Sequence, residues 1–358
     1  MSTHSVRSVN RTLLLACTPF LGMLIWMFMT NVQIILPKTS FPQQSYISVD
    51  PIAPAIQAME GLEQAQDIAK GTGKSLQKQI NLYNQTNANM KQISALASSQ
   101  AARPYQIYDR RITNKLGKPA ATIQSDKLNA QLFYLGTENF RSYALKIKLK
   151  KEDAMKLVLG NDVHGGAETT LEAVKRNKAA IGVNAGGFAD SGGKRYPLST
   201  TVVDGEYVGG FHATFKDLFF VGLGEGNKLV GGKFTSKEQL DSLGPKFGAS
   251  FVPVLLENGR KTEIPAKWQT SPKRAPRTVI ASYKDGQILF LIADGYNEKG
   301  SSGATLAEMQ ILLQRFGALD GYNLDGGGST SLVFNGRVIN NPSDGKLRKL
   351  PTNFVFFK

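Results

Sequence analysis

Four tight-turn dipeptides in the C-terminal half of this chain constrain its fold most, because each compels two neighbouring strands to run antiparallel. They are Asp204-Gly205 after STTVV, Asn258-Gly259 after FVPVLLE, Asp285-Gly286 between RTVIASYK and QILFLIAD, and Asn335-Gly336 between SLVF and RVIN. A two-residue hairpin loop needs left-handed backbone at its centre, which Asn, Asp and Gly adopt at least cost. The flanking runs are rich in β-branched and aromatic residues, as strands are. One helix stands among them: Thr305 and Glu308 have capping-box spacing, Leu306, Met309, Leu313 and Phe316 share a face, and Gly317 ends it. A second helix is expected over residues 168–178. Hairpin-joined strands with a few packed helices predict an α+β domain with mixed or antiparallel sheets, over residues 134–358.

Upstream the chain changes character. Residues 12–37 carry no charge and 13–29 are almost wholly apolar, long enough to cross a bilayer at roughly 20 residues per span. Arg7 and Arg11 precede the segment and only Lys38 follows closely, which predicts a cytoplasmic tail at 1–11 and a single-pass protein of the cell membrane, everything downstream being extracytoplasmic. A cleaved signal peptide is the rival, but no small-x-small site follows directly. Residues 38–51 read as a linker containing Pro42 and Pro51. Residues 52–101 are rich in Gln, Ala, Asn and Lys, with Met59 and Leu62, Leu76, Ile80 and Tyr83, and Met90, Ile93 and Leu96 at helical spacing. They predict a helical stalk, split in two at Gly71-Thr72-Gly73, that serves as a spacer or a self-associating coiled coil; its heptads are irregular. Residues 102–133 connect the stalk to the domain.

Composition removes several chemistries. Cys17 is the only cysteine and lies in the apolar segment, so the folded part has no disulfide and no thiol nucleophile. The three histidines, His4, His164 and His212, are too few and too scattered to predict a histidine metal centre. A net charge of +15 suits an anionic neighbour such as a phospholipid surface or a phosphate-bearing polymer. No basic helix or basic–aromatic motif accompanies it, so nucleic acid is not expected as a partner.

The stretch from Asn323 to Ser331, NLDGGGSTS, carries the most chemistry. Gly326, Gly327 and Gly328 let backbone approach a ligand closely and can turn amide N–H groups into one concavity, where anions bind. Asp325 stands at its rim beside the hydroxyls of Ser329 and Thr330. Asn184-Ala-Gly186-Gly187-Phe188 ends another apolar run in the same way, and Arg277 opens a strand with the planar cation best suited to phosphate. Each of these residues also has a plainer structural use: a local cap for Asp325, a turn for Asn184, a surface ion pair for Arg277.

In order along the chain, NAGGF, RAPRT, LIADGY, SGATLAEM, NLDGGGSTS and NPSDG resemble the phosphodiester glycosidase family, from about residue 140 to the C-terminus. The resemblance implies hydrolysis of a sugar-1-phosphodiester, and bacterial members are linked to exopolysaccharide. Carried over, the site comprises Asn184, Gly186, Gly187, Arg277, Asp294, Asn323, Asp325, Gly326, Gly327, Gly328 and Ser329. Two departures stand out: the alanine in NAGGF, and Tyr296 in DGY where the commoner form has arginine. A phosphate leaving group needs little general-acid help. The expected division of labour is therefore Arg277 and the glycine amides on phosphate, Asp325 as base or nucleophile, Asp294 as second carboxylate or sugar ligand, and Asn184 orienting a substituent. No cofactor is expected; the alternative is a divalent cation between Asp294 and Asp325. Two other readings stay open: a surface module that binds phosphate-rich glycan without cleaving it, and a phosphodiesterase cutting P–O.

Overall fold

The computed structural model describes residues 25–26, 52–296 and 302–358. The expected tail, anchor and linker lie outside the described residues, apart from Ile25 and Trp26, which are helical. Among the described residues no helix is long and apolar enough to cross a membrane. The chain divides into two units, residues 1–89 and 90–358.

Where the sequence predicts two stalk helices and a connecting segment, one helix of 65 residues runs from Ile52 to Leu116, through Gly71, Gly73 and Pro104. An interior glycine costs a helix only about 1 kcal/mol, and the Ala, Gln, Lys and Leu around these two carry it. In the first unit its apolar side chains, among them Met59, Leu62, Leu76 and Ile80, are exposed. In the second unit its last turns bury Ile112 and Leu116, and the buried Lys146 ammonium donates to Asp109 (2.7 Å) and Thr113 (2.6 Å) on the helix.

The second unit is α+β, and every pairing within its sheets is antiparallel. An eight-stranded sheet has the spatial order Ala121–Gln124, Leu128–Leu135, Ser142–Leu149, Ile288–Ala293, Arg277–Ser282, Gly321–Leu324, Val254–Glu257, Arg260–Lys261. Its first strand and most of its second lie in the segment, residues 102–133, expected only to connect. Strand residues alternate between faces, and both faces of this sheet are apolar. Leu145, Ile147, Ile280, Phe290, Ile292 and Leu324 share one cluster with Ile181, Val183, Phe219, Phe247, Phe354 and Phe356 of two five-stranded sheets. Ala144, Val279, Ala281, Leu289 and Leu291 belong to another cluster with Leu306, Met309, Leu313 and Phe316 of the Leu306–Phe316 helix.

Local signals behave as their chemistry requires. Thr305 and Glu308 form the capping box and Gly317 stops the helix at φ 81. The other helix is Thr170–Arg176, capped by Thr169 and Glu172; it starts later than expected because Glu168 bridges to Leu350 instead. Asp204, Asn258 and Asn335 take positive φ in two-residue loops. The Asp285-Gly286 turn is wider. Pairing stops at Ser282–Ile288, and Asp285 uses its carboxylate to accept from the Gln287 amide (3.3 Å) and side chain (2.8 Å).

Candidate active site

Three strand ends meet at one edge of the core: Asn184 closes Ile181–Asn184, Arg277 opens Arg277–Ser282, and Leu324 closes Gly321–Leu324 next to it, paired with Thr278. Asp325 follows directly. Its N–H donates to the Ala185 carbonyl (3.2 Å), and Gly327 N–H donates to the Pro276 carbonyl (2.9 Å), so the DGGG turn is sewn to both neighbours.

Asn184 is the knot of this arrangement. Fully buried, it donates Nδ2 to the Asp325 carbonyl (2.7 Å), while its Oδ1 accepts from Thr278 (2.8 Å) and from the Ser331 amide (3.0 Å). Both ends of the side-chain amide are committed to protein groups. The residue positions the turn, and of its side-chain donors one N–H is committed to the Asp325 carbonyl.

The Asp325 carboxylate has one satisfied and one unsatisfied oxygen. Oδ1 accepts from Gly326 N–H (3.0 Å), and Oδ2 is shut away from water with no hydrogen-bond partner. Burial pushes this carboxyl up to about 6, against the opposing pull of the Ser329 hydroxyl, the Gly326 amide, and the Arg348 and Arg195 charges. An aspartate that titrates near 6 and has an oxygen without a hydrogen-bond partner is a group poised for proton transfer or attack.

Its cations differ from the one expected. Arg277 points away, to the face it shares with Val279 and Ala281, where Nε donates to the Ala304 carbonyl (3.1 Å) and Nη2 to that of Pro272 (2.9 Å). Only its main chain reaches the turn: its Cα is 3.8 Å from where a Cβ on Gly326 would stand. The guanidiniums that face Asp325 belong to residues the sequence reading passed over. Arg348 donates Nη1 to Ser329 Oγ (3.4 Å) and grips Asp344 through Nε (3.0 Å) and Nη2 (2.6 Å). This pair fills the space above Gly328, where any Cβ would overlap the guanidinium and both carboxylate oxygens. Arg195 pairs with Asp190 (2.7 and 2.9 Å), stacks 4.1 Å from the Phe188 ring centroid and donates to the Lys349 carbonyl. The Asp344-Arg348 spacing and the KR after Gly192-Gly193 were the available signals.

Asp294 is also placed otherwise than expected. It is fully buried, accepts from Tyr143 OH on Oδ2 (3.0 Å) and from Asn341 N–H on Oδ1 (3.0 Å), and burial raises its pKa. With Asn340, whose side chain donates to the Thr330 carbonyl (3.0 Å), it anchors the loop that carries Asp344 and Arg348. Asn323 donates to the Val252 carbonyl (2.6 Å), while its Oδ1 is buried without a hydrogen-bond partner. Gly326 and Gly327 spend their amides on Asp325 and Pro276, so the nest is largely filled from within. Gly186 and Gly187 admit close neighbours, Ala249 and Ser250 for the first, Phe251 and Leu198 for the second. Ser329 and Thr330 are buried beside Asp325. Among the described residues no group of three or more His, Cys, Asp or Glu side chains is placed to hold a metal ion.

Residues 177–357 match a family model described as phosphodiester glycosidase. The SPbeta prophage-derived uncharacterized protein YomE of Bacillus subtilis is 28% identical over 185 residues, 50% of this chain and 28% of that protein. The N-acetylglucosamine-1-phosphodiester alpha-N-acetylglucosaminidase of Mus musculus is 29% identical over 178 residues, 46% of this chain and 33% of that protein. The chain thus spans a third or less of these relatives. Among solved structures, the zebrafish N-acetylglucosamine-1-phosphodiester alpha-N-acetylglucosaminidase catalytic domain, auto-inhibited by its pro-peptide, shares the fold with a TM-score of 0.55 and 19% identity, over 67% of this chain and 87% of that one.

Proposed function

The chain belongs to the phosphodiester glycosidase family, and on that premise we propose that it hydrolyses a glycosyl phosphodiester at the anomeric C–O bond, with Asp325 as the reacting carboxylate. The observation that carries the reading is the bare, buried Oδ2 of Asp325 in the field of Arg348 and Arg195.

In this mechanism the phosphate lies against Arg348, whose guanidinium is planar and permanently charged, and within reach of Arg195. Water attacks C1 while Asp325 takes its proton. The C1–O bond breaks, and its electron pair stays on the phosphate oxygen. The products are free sugar, a phosphomonoester and one proton returned to solvent. Because the leaving group is already acidic, the site needs charge stabilisation more than a strong proton donor. Ser329, whose Oγ accepts from Arg348, stands beside Asp325, so the base and the anion site are neighbours. The substrate we assign is envelope glycan or exopolysaccharide. It is reached by a domain held outside the membrane on the helix expected at residues 12–37, with the exposed apolar row of the long helix available for self-association. Support for that setting is the uncharged segment, its flanking arginines and the +15 charge.

Sugar release from a synthetic glycosyl phosphodiester tests the reading. Asp325→Asn is expected to lower kcat by about 10³ or more, and Arg348→Ala to lower kcat/KM by about 10²–10³. Arg277→Ala should cost stability while changing kcat/KM by less than about tenfold. Full turnover by a folded Asp325→Asn protein overturns the proposal. Incorporation of ¹⁸O from water into phosphate instead of sugar would place the cut at P–O.

A further inference from the structure

A cavity of about 630 Å³ adjoins the Asp325 turn and has no part in the mechanism above. Two contacts join it to the site. Gly187, two residues after the Ala185 carbonyl that holds Asp325 N–H, lies against Phe251 and Leu198, both of which line the cavity. Asn323, two residues before Asp325, donates to the carbonyl of Val252, another lining residue. Two residues of extended chain span at most about 7 Å, so the wall of the hollow is tied to the main chain on either side of the Asp325 turn.

The lining has three chemical features. Tyr196, Phe251 and Trp268 supply aromatic walls; Trp268 is fixed by its Nε1 donating to Asp217 (2.9 Å) and carries the Lys267 ammonium 4.7 Å from its ring centroid. Ser199 presents an Oγ that is buried and without a hydrogen-bond partner. Lys216 and Lys267 are exposed lining residues, neither forms an ion pair among the described residues, and against the one lining carboxylate, Asp217, they leave a net positive charge. Ser199 and Lys216 also hold left-handed backbone, at φ 56 and 51. For residues other than glycine that conformation costs energy and gathers at ligand clamps.

A ligand that suits all three must show an apolar ring face to the aromatic walls, a hydroxyl to Ser199 and negative charge to the lysines. An acyl chain leaves the serine unpaired, which is costly when buried. A neutral sugar leaves the net positive charge unanswered. We infer that the cavity binds an acidic sugar residue, one bearing a carboxylate or a phosphate, as the neighbour of the scissile phosphodiester. Its place in the substrate rests on Asp325 being the reacting group; its binding does not.

The sequence has two tryptophans, Trp26 and Trp268, so the full chain with Trp26→Phe reports on the cavity through Trp268 fluorescence alone. Glucuronic acid, glucose 6-phosphate and glucose are titrated at low ionic strength. The expected result is saturable quenching or enhancement by both acids, at least about tenfold tighter than by glucose. That preference should fall by about tenfold in Lys216→Ala/Lys267→Ala and weaken with added salt. If only one acid binds tightly, the preferred anion is thereby named and the inference holds. An equal response to glucose, no saturable response to any sugar, or a preference that survives loss of both lysines overturns it. None of the titrants is a glycosyl phosphodiester, so absent turnover with intact acid-selective binding would sink the catalytic reading alone. Turnover without such binding would sink only this one.

Discussion

At the scale of single residues, the site depends on one aspartate and the asparagine beneath it. Asp325 carries a folded-state pKa of about 6, above the ordinary value of about 3.9 for an unfolded aspartate. The folded protein therefore holds this proton more tightly than the unfolded chain. Its contribution to stability is fully present below about pH 4 and is lost as pH rises through about 6. Catalysis by the ionised form runs the other way and should rise across the same window. Asp325→Asn removes both effects. Its stability is expected to gain on the wild type between pH 4 and 7, by up to about 3 kcal/mol, and a melting series across that range reads the crossing directly. Asn184→Ala should be severe for a different reason. It strands the Asp325 carbonyl, the Thr278 hydroxyl and the Ser331 amide in the interior, at a cost of about 3 kcal/mol or more. Urea titration measures it, and a loss under about 1 kcal/mol would show that Asn184 is not the knot.

Among the elements, the end of the long helix is docked by apolar burial and by one ion pair of unequal exposure. The Lys146 side chain is 3% exposed and that of Asp109 is 38%. Removing the carboxylate leaves an ammonium facing only Thr113, so Asp109→Ala should cost roughly 2–3 kcal/mol, whereas Lys146→Met, which removes the charge itself, should lie within about 1 kcal/mol of wild type. Equal losses from the two changes in urea melts would contradict that account. The same elements show what can be read from sequence. Hairpin turns and the Thr305–Glu308 capping box were legible because their chemistry is complete within four residues. The continuous helix was not, since the cost of Gly71 and Gly73 is decided by their neighbours. Period-two alternation already placed Arg277 on the face of Val279, opposite Thr278, so its departure from the anion site could have been deduced. Arg348 could not, because the loop from Asn340 to Lys349 has no periodicity and takes its course from buried Asp294.

For the molecule as a whole, residues 90–358 contain both apolar layers of the eight-stranded sheet and every residue named for the site. A fragment starting at Met90 is expected to melt within about 2 °C of the full chain and to retain its kcat/KM. A larger fall on removing residues 1–89 would mean that the first unit supports the second. The strand Thr352–Phe356 lies inside its sheet, between Ile181–Asn184 and Met155–Leu159, which do not pair with each other. A ribosome delivers that inner strand 168 residues after Asn184 and 193 after Leu159, the ends of its two neighbours. Until then the two earlier strands wait with open edges, and Arg348 has no Gly328 platform held beneath it. Interrupted translation before Thr352 thus yields a chain whose sheet lacks its inner strand and leaves both neighbouring edges unpaired there.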